Sequence, residues 1–228
     1  MPVVDLAQIT KRDLNQQLHA LPANTNETLW RVENPNGAHS LAAGLDAPIT
    51  VEVAGHAGYY CAGMNAQATV LVEGNVGVGV AENMMSGKVH VKGDASQSAG
   101  ATAHGGLLVI DGDASARCGI SMKGIDIVVK GSIGPMSAFM AQSGNLVVLG
   151  DAGDALGDSI YEARLYVRGS VKSLGADCVE KKLRDEHVAD LRRLFDAAGI
   201  ANVEPSEFKR YGSARKLYNF HVDNAAAY

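Results

Sequence analysis

The run Gly74-Asn-Val-Gly77-Val-Gly79 has the glycine density of a phosphate-binding loop. A dinucleotide loop needs a strand before it and a long helix after it, because the helix N-terminus supplies the amide groups that hold the pyrophosphate. Here another glycine-punctuated segment follows, so the run reads as structural. Asp94, Asp113 and Asp151 each follow a glycine of the same pattern, and His56, Asn75, Ser132 and Ser170 take that place elsewhere. Stacked carboxylates could bind a cation, but only Asp94 and Asp113 are neighbours. Small polar residues at this point suit a turn, where their side chains accept from nearby backbone N–H groups. The histidines show no HExxH spacing and no GxSxG nucleophile motif occurs, so no catalytic or metal-ligating residue is assigned. Cys61, Cys118 and Cys178 include no CxxC pair, which argues against a zinc or iron–sulfur site.

The glycines themselves are the strongest signal. Gly55, Gly74, Gly93, Gly112, Gly131, Gly150 and Gly169 recur every 19 residues. Four residues before each stands Val51, Val70, Val89, Leu108, Ile127, Leu146 or Leu165. Two before stands Val53, Val72, Val91, Ile110, Val129, Val148 or Val167. Period-2 patterning with β-branched residues, bounded by glycine, predicts a short strand in each unit. A second row, seven after the glycine, is restricted to Gly and Ala and marks a second tight corner. The spacing is too short for a strand–helix–strand crossover and suffices for one coil of a solenoid. The expected fold is all-β, a single-stranded right-handed parallel β-helix of about seven coils, roughly 30–35 Å long at the spacing between strands. A weaker eighth coil is expected ahead of these, with Val32 and Asn36 one period before Val51 and Gly55, and Ala43 before Ala62.

The expected organisation is an N-terminal helix and capping segment (1–48), the β-helix (49–178) and a C-terminal helix and docking tail (179–228). Thr10 caps a helix over Lys11–Leu21 with Leu14, Leu18 and Leu21 on one face. Residues 180–199 form a second helix, with Gly199 its stop and Val188, Leu191, Leu194, Phe195 and Ala198 its stripe. An irregular tail follows, rich in cations and aromatics: Phe208, Lys209, Arg210, Tyr211, Arg215, Lys216, Tyr218 and Phe220. Such residues anchor interfaces, so the tail either covers its own rod or docks on a partner subunit. Met64, Met84, Met85, Met122 and Met140 lie on one side of the rod, as core filler or as an adaptable contact surface.

A net charge of −5 gives no reason for nucleic-acid binding. No signal peptide is read at the start, and no apolar run approaches a membrane span. Cys61 and Cys118 share one repeat position three coils apart, about 14 Å by stacking, too far for a disulfide. Reduced thiols place the protein in the cytoplasm.

The run Gly150-Asp-Ala-Gly153-Asp-Ala-Leu-Gly157, recurring in part along the chain, resembles the GXGXG domain of the glutamate synthase large subunit, a right-handed β-helix. It is similar, too, to the β-helix subunit of formylmethanofuran dehydrogenase. The flanks VVDLAQITKRDLNQQLH, NPNGAHSLAAGL and FKRYGSARKLYNFHVDNA resemble the stand-alone GlxC-type proteins, the small β-helix subunit of methylamine–glutamate N-methyltransferase (N-methylglutamate synthase). The resemblance implies a non-catalytic structural subunit within a hetero-oligomer. The complex would make N-methylglutamate and ammonia from methylamine and glutamate. Its partners would be a glutamine-amidotransferase-like subunit and a synthase-like subunit carrying FMN and an iron–sulfur cluster, with no cofactor in this chain. A split glutamate synthase or a formylmethanofuran dehydrogenase is the alternative setting for the same fold.

Overall fold

Each glycine-bounded unit contributes one strand to a parallel β-solenoid of about seven turns. The computed structural model describes residues 1–217. The strands are β1 (Val3–Asp5), β2 (Leu29–Glu33), β3 (Thr50–Val53), β4 (Thr69–Val72), β5 (Lys88–Val91), β6 (Leu107–Ile110), β7 (Lys123–Val129), β8 (Ser143–Val148) and β9 (Arg164–Val167). They pair in sequence order and in parallel. From β3 to β9 the register keeps the sequence period, so Val51, Val70, Val89, Leu108, Ile127, Leu146 and Leu165 stack one above another. All seven are fully buried. Their β-branched and γ-branched side chains fill a narrow interior that has little room for aromatic rings. The row two residues after each glycine forms a second ladder of bridges, from Ala57 through Val76 to Val171.

The small-residue row turns the second corner. Ala62, Ala81, Gly100, Gly119, Ala138 and Gly157 have φ between 53° and 68°. A left-handed backbone disfavours L side chains, and this corner also faces the core: a Cβ on Gly100 would come within 2.6 Å of Ile127 Cδ1. Residues two before and two after this row are left-handed as well, including Tyr60, Met64, Asn83 and Ser98. Stacking on the next coil holds these conformations in place.

The early coil is present. β2 pairs with β3 through Val32↔Val53, and β1 adds a further rung on β2. Two details differ from expectation: Val32 faces Val53, with Trp30 and not Val32 opposite Val51, and the left-handed partner of Ala62 in this coil is Ala42 (φ 52°), not Ala43. The first corner is therefore one residue longer than the repeat. Helix α1 (Lys11–His19) is capped by Thr10, which exchanges hydrogen bonds with Asp13. Leu14 and Leu18 are buried, and Asn15 clamps the first corner through Ser40 O at 2.7 Å and Ala42 N at 3.0 Å.

The other end departs further from the sequence reading. After β9 the chain makes β10 (Cys178–Lys181), helix α2 (Asp185–Ala198), a single 3-10 turn at Pro205–Glu207 and β11 (Lys209–Ser213). Helix α2 starts at Asp185 because Cys178–Lys181 are taken up in β10. Gly199 ends it in a left-handed cap (φ 65°), as its place in the sequence suggests. The segment read as irregular contains a strand: β11 inserts antiparallel between β9 and β10. Tyr211 sits opposite Leu165 and closes the inner row. Reversing direction ends the solenoid, since a further parallel coil would need another edge in the same sense.

Candidate interaction surfaces

The residues that invited a chemical reading form a continuous hydrogen-bonded ladder. Each side chain accepts from the backbone N–H of the equivalent residue one coil on: His56 Nδ1 from Asn75 N at 2.9 Å, Asn75 from Asp94 at 2.9 Å, and Asp94 from Asp113 at 2.8 Å. Asp113 accepts from Ser132 at 2.7 Å, Ser132 from Asp151 at 3.0 Å and Asp151 from Ser170 at 2.7 Å. The acids are rungs of this ladder. Among the described residues no cluster of three or more His, Cys, Asp or Glu is gathered to hold a metal ion.

The ladder also explains the marker glycines. A Cβ on Gly93 would lie 2.1 Å from Asn75 Oδ1, on Gly112 2.1 Å from Asp94 Oδ1, and on Gly131 2.2 Å from Asp113 Oδ1. Gly74, Gly150 and Gly169 are closed off in the same way by the coil before them, while Gly55 stands against Pro35 with φ 142°. Of these seven, only Gly55 has a positive φ. The period is thus set by backbone approach between coils and not by turn conformation.

Cys61, Cys118 and Cys178 are free thiols, all buried. Burial pushes each thiol up to about 12, which removes it from thiolate chemistry.

On the outer face of the strands the sequence changes character midway. The outward position holds Glu52, Leu71 and His90 in β3–β5, then Val109, Val128, Val147 and Tyr166 in β6–β9. The last four are fully buried under α2, against Leu191, Leu194, Phe195, Ala198 and Phe208. Polar contacts rim this seat: Arg193 Nη1 reaches Asp126 at 2.9 Å, Arg164 Nη1 reaches Asp190 at 2.5 Å, and Lys88 Nζ donates to Ala197 O at 2.9 Å. The uncovered half carries ion pairs. Arg31 holds Glu33, Glu52 and Glu73, while Asp111 receives His90 Nε2 at 2.9 Å and Lys130 Nζ at 2.8 Å.

The tail residues divide by position. Phe208 packs on Phe195 with ring centroids 5.4 Å apart, and Tyr211 is buried at the end of the inner row. Both rings are occupied by the chain's own core and are not offered to a partner. Lys209 lies 3.4 Å from Glu180, Arg215 Nη2 is 2.8 Å from Glu162, and the Lys216 N–H donates to Asp177 at 2.9 Å. Arg210 is half-buried, and its Nε is shielded from solvent without a hydrogen-bond partner. Its burial, with Arg164 and Arg184 close by, lowers its proton affinity from the ordinary arginine value. Tyr218 and Phe220 lie outside the described residues. Along the corner of the early coils, Tyr59, Tyr60, Met64 and Met85 are each about half exposed, and the Tyr59 ring stacks on His39 at 4.5 Å. Of the methionines on this side, Met84 and Met122 are buried, and Met64, Met85 and Met140 stand out.

Over its whole length of 228 residues the chain is 64% identical to Protein GlxC of Rhizobium meliloti (strain 1021), covering all of both chains. The chain belongs to the GlxC family. No family model and no solved structure matches it. Among the described residues no helix is long and apolar enough to cross a membrane.

Two features escaped the sequence reading. The Val109–Val128–Val147–Tyr166 row was visible as a change at the outward position, but α2 as its cover required the fold. The cations Arg164, Lys181, Lys182 and Arg184 are spread over three elements and meet Arg210 only in the folded molecule.

Proposed function

We propose that this chain is the non-catalytic β-solenoid subunit of a cytoplasmic glutamate-synthase-like complex that makes N-methylglutamate and ammonia from methylamine and glutamate. In this reading it holds a glutamine-amidotransferase-like subunit and a synthase-like subunit at a fixed separation. FMN and the iron–sulfur cluster belong to the second of these. The observation that carries the reading is the stacked architecture itself: its polar residues with chemical potential are consumed in coil-to-coil bonds, and its cysteines are single and buried. A stack in which every coil is hydrogen-bonded to the next resists bending and suits a spacer. The half-exposed Tyr59, Tyr60 and Met64 in the early coils and the charged end around β11 give it two chemically distinct contact regions.

The test is purification of the tagged chain from methylamine-grown cells under gentle conditions, with mass spectrometry and an assay using methylamine or ammonia as acceptor. Two larger chains and methylamine-dependent turnover are expected. Recovery of a lone chain would end the spacer reading, and turnover only with ammonia would move it to glutamate synthesis.

A further inference from the structure

Where β9, β10 and β11 meet the first turn of α2, the surface opens into a cleft of about 660 Å³. Its lining is strongly cationic in a chain whose net charge is −5. Two of its cations are already engaged, Arg164 with Asp190 at 2.5 Å and Arg215 with Glu162 at 2.8 Å. Arg184 is only loosely paired, 4.0 Å from Glu186. Lys181, Lys182 and Arg210 form no ion pair among the described residues.

Like charges do not gather without a counter-charge unless something else holds them, and here the fold does so at an electrostatic cost. Beneath the cleft Arg210 Nε is shielded from solvent and lacks a hydrogen-bond partner, and opposite Arg210 on the next strand lies Tyr166, a side chain with no exposed surface beside Arg164. The Tyr166 ring lies 6.3 Å from that of His187, which lines the cleft. His187 Nδ1 accepts from Arg184 N at 3.0 Å, so the neutral ring carries its proton on Nε2, on the side of Glu186. Burial and the neighbouring Arg210 favour this neutral form, leaving a donor without an added charge. The 14-residue α2 also points its N-terminus at the same place, where its dipole favours an anion.

We propose that this cleft binds a small polyanion carrying carboxylate or phosphate groups, with Arg210 as the half-buried fork beneath it and Lys181 and Lys182 closing from the rim. A guanidinium meets such an oxyanion through paired N–H donors, and the volume suits a small ligand. The inference is independent of the proposed complex, since it concerns this chain alone.

The test is isothermal titration of the full chain with inorganic phosphate and, separately, with succinate, at low ionic strength, against sodium chloride of matched ionic strength as control. Saturable one-to-one binding of at least one probe is expected, weakened tenfold or more by Arg210→Gln. The rim variant Lys181→Gln/Lys182→Gln, which leaves the buried groups in place, is expected to weaken it severalfold with the melting temperature unchanged. Absence of saturable binding by both probes overturns the proposal. So does binding indifferent to the rim variant, or heat matched by chloride.

Discussion

A single carboxylate in this protein does the work of a turn, a tie and a spacing gauge. Asp94 accepts from Asp113 N, and the same oxygen occupies the space that a side chain at Gly112 would need. Gly112→Ala is therefore expected to lower stability by about 1–3 kcal/mol, read from the midpoint of urea unfolding. In an Asp94→Ala background the penalty should shrink, because the nearest clash is gone and only the Gly93 backbone at 2.9 Å remains. Equal penalties in both backgrounds would assign the glycine to backbone approach alone. A second residue-scale expectation concerns Asp111. Its burial opposes ionisation, but hydrogen bonds from Lys130 and His90 outweigh it and hold the carboxyl down to about 2. The stabilisation is complete above the unfolded value of about 3.9 and is lost as pH falls from there towards 2. The stability gap between wild type and Asp111→Asn should therefore narrow across that window in urea titrations. His90 acts in the same direction. Burial lowers its proton affinity, so protonation below about pH 6.5 works against the fold.

Helix α2 is an element whose position depends on one face of the strands. Of its expected stripe, Leu191, Leu194, Phe195 and Ala198 are buried, while Val188 is only partly buried and His187 takes the inward place in the first turn; its stop was legible from Gly199. Its seat was not, because Val109, Val128, Val147 and Tyr166 come from four different coils and become one surface only when the coils stack. Leu194→Ala is expected to cost about 2–5 kcal/mol. Val128→Asp, which puts a carboxylate between strand and helix, is expected to free α2 and make its amides exchange rapidly while the inner strands stay protected. Uniform loss of protection across both would show that helix and coils unfold as a unit. Strand β11 teaches the opposite lesson. Its sequence KRYGS has little β pattern, and pairing on both sides between β9 and β10 overrides that weak propensity.

At the scale of the whole molecule, stability in a stack is a sum over neighbouring coils, so unequal support along the rod has consequences. The coils of β6–β9 have a second apolar layer under α2, whereas those of β3–β5 expose a charged outer face. Cys61 and Cys118 are internal reporters of the two regions, each fully buried. Under rising urea, Cys61 is expected to become reactive towards an aromatic disulfide reagent before Cys118. This can be followed by mass spectrometry of the labelled peptides. Simultaneous reaction would show that one cooperative unit spans the rod.

The sequence alone determined the coil, its period and its buried rows, because stacking repeats the same contact at every turn and so writes it into residues at fixed spacing. It also marked the start of the first helix, through Thr10, and the end of the second, through Gly199, but not that the first stops at His19 and the second begins only at Asp185. Tertiary structure alone decided where α2 lies, that β11 reverses into the sheet, that Phe208 and Tyr211 face inward, and that cations from separate elements share one cleft. Those contacts occur once each, between segments with no common period, and nothing local in the chain encodes a meeting that the completed stack brings about.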